Sequence, residues 1–216
     1  MSKTTLLSIQ DLNILQSDSP LIKNLNLELA EGECIGISAP TGSGKTTLFN
    51  YICNTLPQEA PDSQLNLMLT GQIELAQGCK ICRVFQEPRL IPSVSVLKNI
   101  MLPLENLLSQ KEAQNIASLW LGKLNLKHKE NVSASILSGG EKQRASIARA
   151  FAYSQAQNKA SCLFLLDEPF ASQDKQNSDN IKALIQAQCK LPGCAFIVIS
   201  HDSPYLELFC NRVISL

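Results

Sequence analysis

The chain has 216 residues, 19 Lys plus Arg against 19 Asp plus Glu, and a formal net charge of zero. That length suits one large core or one domain carrying a subdomain. The charge balance supplies no basic stripe for nucleic acid and no like-charge run of the kind that forms disordered tails. The opening residues, Met1 to Leu7, lack the long apolar core of a secretory signal. No apolar stretch approaches the length of a bilayer span. The expectation is a cytoplasmic protein that serves a membrane, if at all, through a partner.

Apolar residues alternate over Leu6–Leu12 and Leu25–Leu29, which predicts two strands. Cys34–Ser38 reads as a buried strand. It feeds the run Ala39-Pro40-Thr41-Gly42-Ser43-Gly44-Lys45-Thr46-Thr47, and a helix follows to about Cys53. Pro57–Ser63 reads as a loop. Gly71–Leu75 and Lys80–Phe85 read as strands, and Glu87–Ser95, with two prolines, as a connecting loop. From about Val96 to Leu126 the pattern is helical, with breaks near Pro103 and Gly122. Cys162–Leu166 is the continuous apolar run of a strand inside a parallel sheet. A helix over Lys175–Cys189, a strand over Ala195–Ile199 and a short apolar end at Arg212–Leu216 complete the chain.

Eight cysteines fit a reducing compartment. Cys34, Cys162, Cys194 and Cys210 lie in apolar stretches and read as small core residues. Cys79 and Cys82 form a C-x-x-C, but no second pair and no suitably spaced histidine accompanies it, so zinc is not expected.

Three runs carry chemistry. In Ala39–Thr47, Gly42 and Gly44 let the backbone curl so that N–H groups face one concavity. Lys45 supplies a positive point charge for phosphates, and Thr46 a hydroxyl for Mg²⁺. A helix N-terminus behind the loop adds to anion binding. The usual pattern begins with Gly where this chain has Ala39; either the methyl strains the turn or the backbone there takes a conformation open to any L-residue. In Leu163–Pro169, an apolar strand ends in Asp167 and Glu168, placed for Mg²⁺ and for water activation respectively. In Leu137–Arg144, Ser138 and Glu141 have the spacing of a capping box. The adjacent Gly139 and Gly140 disfavour the helix they open, which makes sense if an anion approaches that backbone closely.

In that order, these motifs resemble the ATP-binding-cassette ATPases over essentially the whole chain. Leu137–Glu141 is similar to the family signature. Gln86 matches the Q-loop glutamine, Asp174 closes the D-loop match at Ala171–Asp174, and His201 matches the switch histidine. The resemblance implies an α/β P-loop NTPase: a RecA-like parallel core sheet with an N-terminal antiparallel β part. It implies one ATPase domain over 1–216, with a helical subdomain at about 87–136. It implies an ATP-hydrolysing subunit of a transporter, membrane-associated on the inner face of the cell membrane. Its partners are a second ATP-binding subunit, a membrane permease and, for an importer, a substrate-binding protein; nucleic acid is not among them.

By the same resemblance, catalysis falls to Glu168, His201 and Lys45. ATP contacts fall to Pro40, Thr41, Gly42, Ser43, Gly44, Lys45, Thr46, Thr47, Gln86, Ser138, Gly139, Gly140 and Asp174. Mg²⁺ falls to Thr46, Gln86 and Asp167. The signature of one copy is expected to close over the γ-phosphate held by the loop of another. The Phe85–Pro92 run is most similar to nitrate, sulfonate and taurine importer ATPases; the alternatives are a lipoprotein-release or macrolide exporter and a soluble cassette ATPase. Two further departures stand out. Gln173 replaces the usual apolar residue of the D-loop, and Gln16 falls where the family places an aromatic that stacks on adenine. The second predicts weaker nucleotide affinity and poorer discrimination of ATP from GTP.

Overall fold

The structure is a computed structural model that describes residues 3–17, 19–40, 42–54, 67–158 and 160–216. The expected loop at Pro57–Ser63 and the site residue Thr41 lie outside the described residues. Two sheets form. Strands β1 (Thr5–Gln16) and β2 (Ser19–Ala30) pair antiparallel, and β4 (Leu67–Leu75) pairs with the other edge of β1. The second sheet holds β3 (Cys34–Ser38), β5 (Lys80–Val84), β6 (Cys162–Asp167), β7 (Cys194–Ile199) and β8 (Arg212–Ser215) in the order β5-β6-β7-β3-β8. Every pair in it is parallel.

The first two strands run well past the stretches expected from alternation. Asp11 has a φ of 47°, and the register shifts beside it. That bulge breaks the period of two, so the pattern fades at Leu12 although the ladder continues to Gln16. Gly71 on β4 faces the bulge: a Cβ there would lie 2.5 Å from the Asp11 carbonyl oxygen. Asn26 secures the irregularity by accepting from the Asp11 N–H at 3.0 Å.

Every residue of β6 and β7 is buried, as the continuous apolar runs require. The side chains split by face into two cores. Ile35, Ile37, Leu163, Leu165, Ile197 and Ile199 pack against β1, β2 and helix α1 (Lys45–Ile52). Phe164, Leu166, Phe196 and Val198 pack against helices on the other side. Those are α2 (Val96–Met101), α3 (Gln110–Lys123), α4 (Gly139–Ala156), α5 (Lys175–Cys189) and α6 (Ser203–Glu207). Aromatic rings tie the layers together. Phe164 stacks on Phe196 at 4.3 Å between centroids, Phe151 meets Phe164 edge-on at 5.3 Å, and Trp120 lies 4.9 Å from Phe151.

The helical break expected at Pro103 falls in a 3₁₀ turn, Leu102–Leu104, between α2 and α3. Gly122 lies inside the last turn of α3 and does not break it. Cys34, Cys162 and Cys194 are buried core residues, whereas Cys210 is half-buried at the edge of the helical core.

Candidate nucleotide site

The C-terminal ends of four neighbouring parallel strands meet at one crevice, the position such sheets offer to ligands. The end of β3 leads into the Gly-rich loop, β5 into Gln86, β6 into Glu168 and β7 into His201. Their side chains line a cleft of about 440 Å³ together with Gly42, Gly44 and Thr46. Gln16 and Leu21, from the antiparallel sheet, form another part of its wall.

Gly42 and Gly44 have φ of 84° and 86°, the left-handed region that glycine enters without strain. A Cβ at Gly44 would also crowd Leu21 at 3.0 Å. Ala39, by contrast, does not adopt positive φ, and its methyl is buried. The backbone is therefore open to an L-residue, and the strained-turn alternative is excluded. Gly44 is the N-cap of α1, and no side chain caps that helix. The first-turn N–H groups of a helix have no intrahelical acceptor, so this end carries donors and partial positive charge. The Ser43 hydroxyl is buried without a hydrogen-bond partner. Lys45 folds back so that Nζ donates to the carbonyls of Ala39 and Pro40, both at 2.6 Å.

Across the crevice, Thr46 Oγ1 donates to Asp167 Oδ2 at 3.3 Å. Burial pushes the Asp167 carboxyl above its ordinary range; the Thr46 bond opposes that rise and the neighbouring Glu168 charge adds to it. A hydroxyl beside a buried carboxylate is a hard-oxygen donor pair of the kind that ligates a divalent cation such as Mg²⁺. The orphaned Ser43 hydroxyl and the uncapped α1 suit phosphate oxygens in the same way. The residues present fit both groups.

Glu168 has a φ of 48°, a left-handed backbone rare for a non-glycine residue. Its N–H donates to the Ile199 carbonyl at 3.0 Å, which ties it to the end of β7. Its Oε1 accepts from the His201 N–H at 3.1 Å and lies 3.0 Å from His201 Nδ1. The carboxylate is sheltered at 10% side-chain exposure, while the imidazole is open at 77%. The pair thus joins a sheltered carboxylate to a solvent-exposed ring.

The signature run is placed elsewhere. Ser138 caps α4: Oγ accepts from the Glu141 N–H at 3.3 Å, and Glu141 Oε2 accepts from the Ser138 N–H at 2.9 Å. Lys129 Nζ donates to Glu141 Oε1 at 2.5 Å and, with the Ser138 bonds, holds that carboxyl down at about 2. Gly139 faces open space, but a Cβ at Gly140 would lie 2.4 Å from the Ser172 carbonyl oxygen. The two glycines therefore answer different demands: Gly140 makes room for a neighbouring loop, and Gly139 leaves the helix end bare. Asp174 caps α5, accepting from the Asn177 N–H at 2.8 Å. Ser138, Gly139, Gly140 and Asp174 do not line the 440 Å³ cleft, whereas Gln86, Asp167, Glu168 and His201 do.

Several positioning contacts carry no sequence signal. Gln143 of α4 donates to the Phe85 carbonyl at 3.2 Å, and Arg149 donates to the carbonyls of Pro88 (3.1 Å) and Arg89 (3.0 Å). These bonds fix the backbone around Gln86. In the sequence they look like polar residues of an ordinary helix surface; the fold buries Gln143 and half-buries Arg149.

The chain is similar to known proteins over most of its length. The family model described as ABC transporter matches residues 22–171. The lipoprotein-releasing system ATP-binding protein LolD of Francisella tularensis subsp. holarctica (strain OSU18) is 30% identical over 194 residues, 87% of this chain and 81% of that protein. The aliphatic sulfonates import ATP-binding protein SsuB 1 of Shouchella clausii (strain KSM-K16) is 29% identical over 213 residues, 99% of this chain and 78% of that protein. Among solved structures, a dimeric post-hydrolysis state of the ATP-binding cassette MJ0796 bound to ADP and Pi is 26% identical. It covers 98% of this chain and 94% of its own, with a TM-score of 0.80. The chain belongs to the ABC transporter family, as an ATP-binding cassette and ATPase subunit of a transporter.

Proposed function

We propose that the cassette hydrolyses ATP at two composite sites in a dimer, each site combining the phosphate loop of one copy with the signature helix of the other. The observation that carries this reading is the division just described: one chain gathers Lys45, Thr46, Asp167, Glu168 and His201 in one cleft and leaves Ser138–Gly140 outside it. The dimeric form of the ADP-bound structural relative supports it.

In this reading Lys45 exchanges its two carbonyl partners for phosphate oxygens. The loop and the start of α1, Pro40 to Thr47, hold the phosphate chain, with Ser43 donating its hydroxyl. Thr46 and Asp167, with Gln86, would hold Mg²⁺, which would offset charge on the phosphates. Glu168 takes a proton from the attacking water, and His201 orients that carboxylate and meets the transferring group. Ser138 and the Gly139 and Gly140 amides of the second copy contact the terminal phosphate only in the closed dimer. Hydrolysis removes that differential contact and reopens it. Asp174 contributes at the same interface. Gln16 and Leu21 in place of an aromatic leave the base held by weaker contacts.

The load is a membrane permease, docked on the helical segment at about 87–136. Among the described residues no helix is long and apolar enough to cross a membrane, so attachment at the inner face runs through the permease. Import is the favoured direction, supported by the Phe85–Pro92 run and by the sulfonate-importer relative aligned over 99% of the chain. The LolD relative makes lipoprotein release the second reading. Purifying the chain with its membrane partners and measuring transport into or out of sealed vesicles tests both: ATP-driven efflux alone would overturn import. A Glu168→Gln variant tests the chemistry; it should bind ATP and barely turn it over, and unchanged turnover would refute the assigned base.

A further inference from the structure

The residue that departs from the family pattern in the D-loop, Gln173, has three partners. Its Nε2 donates to the Gly140 carbonyl at 2.9 Å and to the Ala171 carbonyl at 3.4 Å. Its Oε1 accepts from Arg144 Nη1 at 2.8 Å. Arg144 is buried in α4, and its Nε donates to the Leu124 carbonyl at 3.1 Å. One amide thus spans from the loop after Glu168 to the first turn of the signature helix.

That loop has little slack. The Ala171 N–H donates to the Glu168 carbonyl at 3.2 Å, and the Gln173 N–H to the Phe170 carbonyl at 3.2 Å. Ser172 between them has a φ of 60°, a left-handed conformation that persists only when neighbours hold it. Its carbonyl sits where Gly140 lacks a side chain, so backbone rests on backbone. A shift of the Glu168 segment must either carry Gly140 with it or break the Gln173 bonds.

We propose that Gln173 is a positioning residue that latches the signature helix to the catalytic-carboxylate loop, so that each copy sets its own signature in step with its own Glu168. The inference deepens the composite-site reading and rests on it. An apolar side chain of similar size would fill the same space but leave the Arg144 fork without its acceptor and the Gly140 carbonyl without its extra donor. The latch is therefore a specific polar link and not only packing.

The test uses the full chain with Gln173→Leu and Gln173→Glu. Glutamate keeps an acceptor for Arg144 and loses the donor to Gly140. Both variants should lower kcat about three- to thirtyfold, the range of measured coupling effects, with KM for ATP within twofold of wild type and an unchanged melting temperature for Gln173→Glu. Wild-type kcat in Gln173→Leu overturns the latch. So does full activity in Gln173→Glu, which reduces the residue to an acceptor for a buried guanidinium. Association of Glu168→Gln copies with ATP is followed in parallel. If they do not associate, the composite site fails; if they associate and Gln173→Leu leaves turnover intact, only the latch fails.

Discussion

Two helix N-termini in this molecule open on glycine, and they are finished differently. Helix α1 has Gly44 as its N-cap with no side-chain cap, a buried serine hydroxyl lacks a partner beside it, and Lys45 is parked on two carbonyls. Helix α4 begins with a complete capping box, an ion pair on Glu141 and a latch on Gly140. The first end has unmet donors and stays ready for an anion; the second has its own bonds satisfied and presents one bare glycine, Gly139. A helix end that satisfies itself is stable without ligand, which suits a surface that meets its phosphate only when a second copy arrives.

The comparison breaks first at the incomplete end. Lys45→Ala and Glu168→Gln should each lower steady-state turnover by about 10²–10⁴-fold. A nucleotide-binding titration separates them: only the lysine change should also weaken ATP binding. At the self-satisfied end the glycines should diverge. Gly140→Ala drives a methyl onto the Ser172 carbonyl and should destabilise by about 1–3 kcal/mol in urea denaturation. Gly139→Ala meets nothing within 4 Å and should leave the midpoint near wild type or slightly higher. Equal effects would remove the distinction between them.

Restoring an aromatic beside α1 sharpens the comparison. Gln16→Tyr should tighten ATP by about 1–2 kcal/mol if a base stacks there, and competition with GTP should become more selective; no change would move the base away from Gln16. The smallest effect concerns pH. Glu141 titrates near 2 in the folded chain against an ordinary 4.5. Its contribution is present above 4.5 and is lost as pH falls toward 2, because the unfolded state binds the proton first. Glu141→Gln should flatten that part of the stability profile.

Much of this was legible in residues. The phosphate loop, the Asp167–Glu168 strand end and the Ser138–Glu141 box are local patterns, and local patterns survive in sequence. The parallel strands were legible because burial on both faces leaves no polar positions. What was hidden depends on the third dimension. The Asp11 bulge concealed the length of β1. The reason for Gly140 is the Ser172 carbonyl, thirty-two positions away in the chain and touching in space. Gln143, Arg144 and Arg149 are helix polar residues in sequence; in the fold the first two are buried and the third half-buried, each donating to backbone outside the helix. Gln173 was visible as a departure, but its partners were not.

Light scattering on the Glu168→Gln chain with saturating ATP tests the division of the site between two copies most directly. The account predicts a particle of twice the 23.6 kDa chain mass, which Ser138→Arg in the same chain reduces to a monomer. A particle that stays at the single-chain mass, or a dimer indifferent to Ser138→Arg, would contradict it.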